Sequence, residues 1–486
     1  MKTLYLIGID AAPLWLIKKF STEKGMEGFM KLIKNGNLVE MESTLPPMTG
    51  AAWPTIYTGL PPGKHGVPDF FAMQKDYVPE LVYYDSSREP PFWAKLAEKG
   101  YSSLVITPAT DITLPDYPGV DMITGFPLKA KSNTPLLQSL MKKHSFYGEP
   151  DVEKEMKSGS MSEKEGGLHF LKSTAARAEI AKEAMQSKEY NLVYVCFTET
   201  DRLQHFVLNK SNMAEYLLPI YQEIGKYTNY VMEKATTEGG SVMIVSDHGA
   251  QPIKKKFLIN NWMISEGFAF LKGGVAPAGS GDNNSYATGG LREKLIKTRM
   301  RKVYDSLPHG AKSLVSRSVG MMLPSSKGGK FTRIHLFDFD MEKTLAFAAI
   351  SNINVSTIWI NDSRFVNGHV GSKEKAALIK EIKSRMLRLK DPSGKQLILN
   401  IYDGRKYYGN TRKFIPPDIL AEIRPGYMMD IFYYSGETMF MDPEPPKRGD
   451  HTRYGIFGTY PEAPLTKSGK FKITEVYRAV LSHYGK

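Results

Sequence analysis

The chain has 486 residues, 42% of them hydrophobic and 24% charged, which is normal for a soluble globular protein. This length is too great for one small core and predicts two to three domains, or one large α/β domain with insertions. The single cysteine, Cys196, excludes an internal disulfide and favours a reducing compartment. The formal net charge of +13 is concentrated in residues 291–333, where eleven Lys and Arg residues face two acidic residues.

The N-terminus reads MKTLYLIGIDAAPLWLIKKF and resembles a buried strand more than a signal peptide. Its apolar run, LYLIGI, is short and ends at Asp10, where a signal peptide would continue to a small-residue cleavage site. The sequence has no uninterrupted apolar run near 18 residues, so we expect no membrane span. These features together predict a cytoplasmic protein.

Several short apolar runs along the chain predict strands that are buried on both faces. They are TLYLIGI (3–9), SLVITP (103–108), LVYVCF (192–197), SVMIVS (241–246), TLAFAAI (344–350) and STIWIN (356–361). Continuous rather than alternating apolarity is typical of a mostly parallel central sheet covered by helices. Helical periodicity between these runs, at 168–187, 213–234 and 372–389, predicts a layered α/β architecture.

Two stretches interrupt this alternation. Residues 146–167 are rich in Gly, Ser, Glu and Lys, and we expect an exposed connection there. Residues 273–333 begin with a Gly, Ser and Asn loop and continue into the basic segment, so they predict an insertion in the core. The predicted organisation is therefore a first core part, a basic insertion or cap, and a second core part with a smaller α+β subregion: 1–272, 273–335 and 336–486.

Acidic and imidazole side chains follow three of the predicted strands. Asp10 follows the first strand, Asp201 and His205 follow LVYVCF, and Asp247 and His248 follow SVMIVS. Because ligand sites of parallel α/β sheets lie at the carboxyl ends of the strands, we expect these side chains to meet at one edge.

The spacing of these residues is compatible with metal binding. Asp201 and His205 are four apart, so on a helix they share one face, and Asp247 and His248 are adjacent before Gly249, which permits a tight turn. Near the C-terminus, RGDHTRYGIFG adds His451. Each residue taken alone is typical of a turn or a helix cap. A metal site is predicted only because these Asp and His residues occur together after several strands. Mixed nitrogen and oxygen ligands suit Zn²⁺ or Mn²⁺ better than Ca²⁺.

The ordered set of Asp10, the Thr49 stretch, TDRLQH, SDHG and GDH resembles the alkaline phosphatase superfamily, and within it the type I phosphodiesterase/nucleotide pyrophosphatase branch. The resemblance spans nearly the whole chain and implies a three-layer α/β fold, a central mostly parallel sheet between helices. It also implies two divalent ions, usually Zn²⁺, with Mn²⁺ as the alternative. The implied ligand sets are Asp201, His205 and His451 for one ion, and Asp10, Asp247, His248 and the nucleophile's oxygen for the other.

The same resemblance assigns the nucleophile within LPPMTGAAWPTIYTGLPPGKHG, residues 45–66. The family spacing to the TG and HG pairs selects Thr49 and implies a covalent phospho-threonine intermediate. Trp53 and Tyr57 are either core residues or part of the site lining. Where nucleotide pyrophosphatases carry an Asn that binds a phosphoryl oxygen, this chain reads HGVPDFFAM, with Asp69 and Phe70. An anionic Asp does not replace an amide donor unless it is protonated or paired, so nucleotide pyrophosphatase specificity is not implied. Asp69 and Phe70 join Trp53 and Tyr57 as candidate substrate-binding residues.

The predicted function is metal-dependent hydrolysis of a small anionic phosphate ester, of the phosphodiesterase or nucleotide pyrophosphatase type. The alternatives within the superfamily are a phosphomonoesterase and a phosphoryl or phosphodiester transferase. A different class is an anionic-surface binding protein, in which basic amphipathic helices at 291–323 contact a membrane. The competing interpretation of 291–323 is a solvated insertion over the mouth of the active site. No motif for specific nucleic-acid recognition is present, and the sequence does not indicate the oligomeric state.

Overall fold

The structure is a computed structural model that describes most of the chain. The described residues are 2–35, 37–86, 88–111, 113–114, 116–125, 129–146, 152–272, 333–334, 339–350, 353–434, 438–443, 447–462 and 471–485. Most of the predicted basic insertion, including all of 291–323, lies outside these residues.

The elements are numbered in chain order. The strands are β1 (Leu4–Ile9), β2 (Leu38–Glu42), β3 (Phe71–Ala72), β4 (Glu80–Leu81), β5 (Ser103–Ile106), β6 (Val120–Ile123), β7 (Leu192–Phe197), β8 (Ser241–Val245), β9 (Gly249–Pro252), β10 (Lys255–Leu258), β11 (Arg333–Ile334), β12 (Ala346–Ala349), β13 (Val355–Ile360), β14 (Ile398–Asp403), β15 (Ile419–Ile423), β16 (Tyr427–Asp430), β17 (Tyr433–Tyr434), β18 (Phe440–Met441), β19 (Gly449–Thr452), β20 (Tyr454–Tyr460) and β21 (Phe471–Lys472). The helices are α1 (Leu14–Phe20), α2 (Glu27–Lys34), α3 (Thr49–Thr58), α4 (Pro62–His65), α5 (Phe92–Ala97), α6 (Pro135–Lys143), α7 (Val152–Ser158), α8 (Glu163–Ser187), α9 (Glu199–Val207), α10 (Met213–Glu238), α11 (Ile259–Ser265), α12 (Ser372–Leu387), α13 (Gly404–Tyr408) and α14 (Val476–Ser482).

Within the described residues, eight strands form the central sheet in the order β21-β2-β20-β8-β1-β7-β5-β6. The neighbours β8, β1, β7, β5 and β6 are all parallel, whereas β20 runs antiparallel to both β8 and β2. The prediction of a mostly parallel central sheet is therefore confirmed.

The central sheet is covered on both faces, as the continuous apolar runs predicted. Along β1, Tyr5, Ile7 and Ile9 pack into one core with residues of α1, α2, α8 and α10. Leu4 and Leu6 point the other way, into a second core with residues of α3, α5 and α14. This alternation follows from the period of two along a strand and produces the three-layer architecture.

A smaller sheet, β12-β13-β15-β14, is antiparallel throughout and packs against α12. Its core takes residues from both sides of the predicted boundary at 272, because Phe257 and Trp262 of β10 and α11 lie in the same cluster as Phe347 and Trp359. The domain limits at 272 and 335 remain predictions.

Much of the described part of 146–167 is exposed, as predicted, but it is largely helical. Residues Val152–Ser158 form α7, and α8 begins at Glu163 rather than near 168. The Ser162 side chain accepts the Glu165 backbone N–H, and the Glu165 carboxylate accepts the Ser162 N–H, a capping box that starts the helix. The S-x-x-E pattern was thus a readable helix start inside a polar segment. Among the described helices, none is both long and apolar enough to cross a membrane.

Candidate active site

The site lies at the carboxyl ends of three adjacent parallel strands, β8, β1 and β7. Asp10 directly follows β1, Asp247 and His248 follow β8, and α9 begins two residues after β7. Because the strands are parallel and in register, their ends deliver these side chains to one place. The β1 loop is fixed locally: Ala11, at a positive φ of 55°, donates its N–H to Asp247 Oδ1 over 3.1 Å.

Asp10, Asp247, His248 and Thr49 form the first side of the site, and all are buried. His248 Nε2 lies 3.1 Å from Thr49 Oγ1, 3.2 Å from Asp247 Oδ2 and 3.7 Å from Asp10 Oδ1. Burial raises the pKa of Asp10 well above its usual range, and the nearby Asp247 carboxylate raises it further. Burial also raises the pKa of Asp247 to about 7. Two carboxylates are therefore held together in a buried place where their negative charges are costly.

Asp201, His205 and His451 form the second side. Asp201 Oδ1 lies 3.2 Å from both His205 Nε2 and His451 Nε2, and these two nitrogens are 3.1 Å apart. The helix α9 places Asp201 and His205 one turn apart on a common face, as their spacing predicted. Burial opposes the ionisation of Asp201, but the two imidazoles in their protonated form outweigh it and hold the pKa of this carboxyl well below its usual range.

The two sides are joined through β9 and β19. In this antiparallel pair, His451 lies opposite Ala250, two residues after His248. The rings of His248 and His451 stack with centroids 3.9 Å apart. Ligand atoms of Asp10, Asp247 and His248 lie within 4.8 Å of one another, and so do those of Asp201, His248 and His451. His248 is thus within reach of both groups.

The hydrogen bonds of the three imidazoles fix which ring nitrogen faces the site. In each ring, Nδ1 lies beside a backbone carbonyl: Gly449 O at 2.9 Å for His205, Gly249 O at 3.0 Å for His248, and Pro47 O at 2.9 Å for His451. A carbonyl only accepts, so Nδ1 carries the hydrogen and the Nε2 lone pair points into the site.

The donor set therefore fits metal ions. Three Nε2 lone pairs and three carboxylates converge, and among the described residues Asp247 Oδ2 has no hydrogen-bond donor. Without a cation or protons between them, these groups repel one another. Asp10, Asp247 and His248 would hold one ion, and Asp201, His205 and His451 a second, which is the division that the sequence implied.

Thr49 is the first residue of α3, so its hydroxyl lies at the N-terminal end of a buried helix. Its Oγ1 is 3.5 Å from Asp10 Oδ1 and 3.1 Å from His248 Nε2. Gly50 lets the segment at 69–70 pass close to this end, since a Cβ there would lie 2.9 Å from Phe70 N. At the other end, Gly59 adopts a left-handed φ of 70° and stops the helix.

The family described as type I phosphodiesterase/nucleotide pyrophosphatase matches residues 4–430. The chain belongs to this family. The chain is a phosphoric ester hydrolase of this family. The match covers all of the strand-end residues, whereas His451 lies beyond it.

The solved structures of one hydrolase share the fold at low sequence identity. Phosphonoacetate hydrolase from Sinorhizobium meliloti 1021, in complexes with phosphonoformate and phosphonoacetate, is 11% identical, with a TM-score of 0.55 over 99% of this chain and 95% of that chain. Murine ectonucleotide pyrophosphatase/phosphodiesterase 5, an inactive variant in complex with AMP, is 11% identical, with a TM-score of 0.47 over 100% of this chain and 95% of that chain. No curated protein sequence matches the chain significantly.

Among the candidate substrate-binding residues, Trp53 contacts a proposed metal ligand. Its indole N–H points at Asp10 Oδ2 over 3.4 Å. Tyr57 lies in an aromatic cluster and donates its hydroxyl to Ala109 O over 2.9 Å, so its contacts are those of a core residue. Asp69 and Phe70 are buried beside Gly50 at the start of α3.

Sequence reasoning did not find the residues that fix α9 behind the site. Thr200 Oγ1 donates to Asp10 O, and Gln204 Nε2 donates to Ala11 O over 2.9 Å, so the helix is bonded to the loop after β1. Both residues lie inside TETDRLQHF, where helical spacing puts them on the faces next to Asp201 and His205. Their type alone gave no signal, because Thr and Gln are common on any helix.

Proposed function

We propose that this family member hydrolyses a phosphodiester through a covalent intermediate on Thr49, with two divalent metal ions bound at the strand ends. The supporting observation is the position of the Thr49 hydroxyl, within 3.1 Å of His248 Nε2 and 3.5 Å of Asp10 Oδ1 at a helix N-terminus. Three imidazole nitrogens and three carboxylates favour Zn²⁺, with Mn²⁺ as the alternative.

Thr49 supplies the nucleophile in this proposal. Its Oγ1 forms a bond to phosphorus, its proton passes to solvent, and the bond from phosphorus to the leaving oxygen breaks. The leaving alkoxide takes a proton from water, and a second water then cleaves the phospho-threonine bond and restores the hydroxyl. Bound ions would lower the pKa of the threonine hydroxyl and neutralise charge on the phosphoryl group.

The chain's own residues bind the phosphoryl group and orient the imidazoles. The helix α3 directs its N-terminal backbone and partial positive charge toward the phosphoryl group. The Nδ1 bonds to Gly249, Gly449 and Pro47 hold the imidazoles in one orientation. Burial of the site strengthens the electrostatic interactions there.

The surroundings of Thr49 favour a diester over a monoester. Among the described residues, no Lys or Arg forms a hydrogen bond or ion pair with Thr49, Asp10, Asp247 or His248. A monoester dianion carries one more negative charge than a diester, and within the described residues no Lys or Arg is bonded to these four side chains to offset it. A phosphomonoesterase or a transferase remains the alternative within the superfamily.

A panel of mono- and diesters tests the proposal, with metal-free protein reloaded with Zn²⁺ or Mn²⁺ and Thr49→Ala as the blank. We expect hydrolysis of bis-p-nitrophenyl phosphate to exceed that of p-nitrophenyl phosphate and to vanish without metal. A higher rate on the monoester would favour the phosphomonoesterase, and transfer to added alcohols in place of hydrolysis would favour the transferase. Equal activity of Thr49→Ala would contradict the nucleophile assignment.

We further propose that the partner of this site is a small anionic phosphoester, drawn by the positive charge of the basic insertion. Contact of residues 291–323 with an anionic membrane stays a separate prediction. Sedimentation with phosphatidylserine vesicles, with and without that segment, tests it, and equal recovery of the two forms in the supernatant would contradict it.

A further inference from the structure

The helix α9 carries two of the proposed metal ligands, and two buried ion pairs hold it from behind. Arg177 of α8 pairs with Glu199, and both side chains are fully buried. Arg202 Nε lies 2.9 Å from Glu153 Oε1 of α7, with 3% and 1% of the two side chains exposed. Asp201 and His205, the ligands, lie on the same nine-residue helix.

The two ion pairs have opposite polarity, so they favour one orientation of α9 against α7 and α8. The helix α9 offers an acid to α8 and a base to α7, so rotating it or shifting its register would bring like charges together or leave a buried charge alone. Each guanidinium also covers an aromatic ring: Arg177 lies 5.3 Å from the Phe146 centroid and Arg202 lies 4.8 Å from that of Phe170. These contacts fix both arginines in place.

Stability alone does not account for such pairs. Replacing a buried ion pair by apolar residues of similar volume is often neutral or stabilising, because desolvation offsets the attraction between the charges. An ion pair of this kind can instead fix the orientation of a helix whose side chains must point to a defined place. Here α9 must present Asp201 Oδ1 and His205 Nε2 at 3.2 Å from each other and beside His451.

We propose that Arg177–Glu199 and Arg202–Glu153 are positioning pairs that orient α9 and thereby set the affinity of the ion held by Asp201, His205 and His451. This inference depends on the proposed function, because it assumes that an ion binds there. The ion held by Asp10, Asp247 and His248 should keep its affinity, since those ligands follow β1 and β8, and α9 reaches them only through hydrogen bonds to the backbone carbonyls of Asp10 and Ala11.

The test is calorimetric titration of the metal-free full chain with Zn²⁺. Two double variants, Arg177→Met with Glu199→Gln and Arg202→Met with Glu153→Gln, remove both charges of each pair together. We expect wild type to bind two ions, and each double variant to lose about tenfold or more in affinity for one ion only. Adding His205→Ala should weaken that same ion much further, because it removes one of the ligands, whereas adding Asp247→Asn should weaken the other one.

The matched control is the Lys256–Asp430 pair, which is similarly buried (7% and 1% of the side chains exposed), has a 3.1 Å contact and joins β10 to β16. Lys256→Met with Asp430→Asn should leave both zinc affinities unchanged. If a double variant fails to fold, Arg177→Lys and Arg202→Lys retain the charge without the planar guanidinium, and we expect a smaller loss for the same ion.

Two outcomes separate the inference from the function on which it depends. Wild type binding two ions, with variants that bind both within twofold of wild type, would overturn the positioning role alone. Wild type binding no zinc or manganese would overturn the proposed function and this inference with it.

Discussion

The three threonines of α3 differ in what their hydroxyls contact. Thr55 Oγ1 donates to Ala51 O and Thr58 Oγ1 donates to Pro54 O, so both bond to the backbone of their own helix. Thr49 Oγ1 instead contacts His248 and Asp10. Three hydroxyls that are equivalent in sequence are therefore distinguished by position, and only Thr49 lies among the proposed metal ligands.

Replacing Thr49 with Ala should lower phosphodiester hydrolysis by at least about 10³-fold, because it removes the nucleophilic oxygen. Thermal stability and zinc content should stay close to wild type, and Thr49→Ser should retain measurable turnover. Thr55→Ala is the matched control, because it removes a hydroxyl from the same helix away from the proposed ligands. We expect its kcat to stay near that of wild type. Steady-state kinetics and zinc analysis check these outcomes, and a Thr55→Ala loss as large as that of Thr49→Ala would contradict the distinction.

Asp111 is a buried carboxyl in the loop after β5, and burial raises its pKa to about 7. In the unfolded chain this group ionises near pH 4. A raised folded-state pKa means that its stabilising contribution is complete below about pH 4 and is lost as the pH rises to about 7.

Asp111→Asn should therefore stabilise the protein at pH 8 relative to wild type, by up to about 4 kcal/mol, and change little at pH 4. The amide oxygen can still accept the Thr113 N–H, which Asp111 Oδ1 now accepts over 3.1 Å. Denaturant unfolding at pH 4, 6 and 8 measures the difference. A variant less stable than wild type at pH 8 would show that the carboxylate is stabilising.

At the scale of elements, α3 is placed by close packing at its first turn. A Cβ on Gly50 would lie 2.9 Å from Phe70 N and 3.1 Å from the Asp69 carbonyl carbon, both backbone atoms that cannot turn away. The position of Thr49 therefore depends on the absence of a side chain at the next residue.

Gly50→Ala should displace the start of α3 and reduce kcat by about tenfold or more, because a shift of about 1 Å at a reacting group is costly. Gly371→Ala is the control: Gly371 has an extended φ of −70°, and a Cβ there would meet nothing within 4 Å. Activity assays with melting curves separate the two variants. Equal activity of both would show that the nucleophile tolerates a shifted helix.

Part of this arrangement was predictable from sequence. Asp10 and Asp247 follow continuous apolar strands. Because the carboxyl ends of parallel strands lie at one edge of the sheet, residues that follow them meet there. The spacing of Asp201 and His205 predicted their common helical face. His451 was assigned only by family resemblance, because the β9–β19 pairing that brings it beside His248 is a long-range contact without a local signal.

Other features were not predictable for physical reasons. The ion pairs behind α9 join residues 22 and 49 positions apart, and charged residues on a helix usually face solvent. The helix α7 was missed because its polar sequence has few apolar residues to mark a period. The capping box of α8 was readable but was outweighed by the composition of the segment.

For the whole molecule, the metal ions should act as a link between the sheet ends and the later part of the chain. The proposed ligands directly follow β1 and β8 or lie on α9 and β19, and they span the sequence from Asp10 to His451. Ions bound only by the folded state stabilise it in proportion to their concentration and affinity.

Removal of metal by a chelator should therefore lower the melting temperature by several degrees, and excess Zn²⁺ should restore it. Differential scanning calorimetry with and without added zinc measures the shift. Asp201→Asn and Asp247→Asn each alter a ligand of one ion. Each variant should therefore melt below wild type by part of the decrease that the chelator causes. An unchanged melting temperature in chelated wild type would contradict a structural linkage through the ions.

The two-ion site around Thr49 can be located directly in crystals of the zinc-loaded protein, with diffraction data at the zinc absorption edge. We expect two anomalous peaks, one among Asp201, His205 and His451 and one among Asp10, Asp247 and His248 beside Thr49 Oγ1. A map with no peak at these residues, or with zinc only elsewhere on the chain, would contradict the two-ion site.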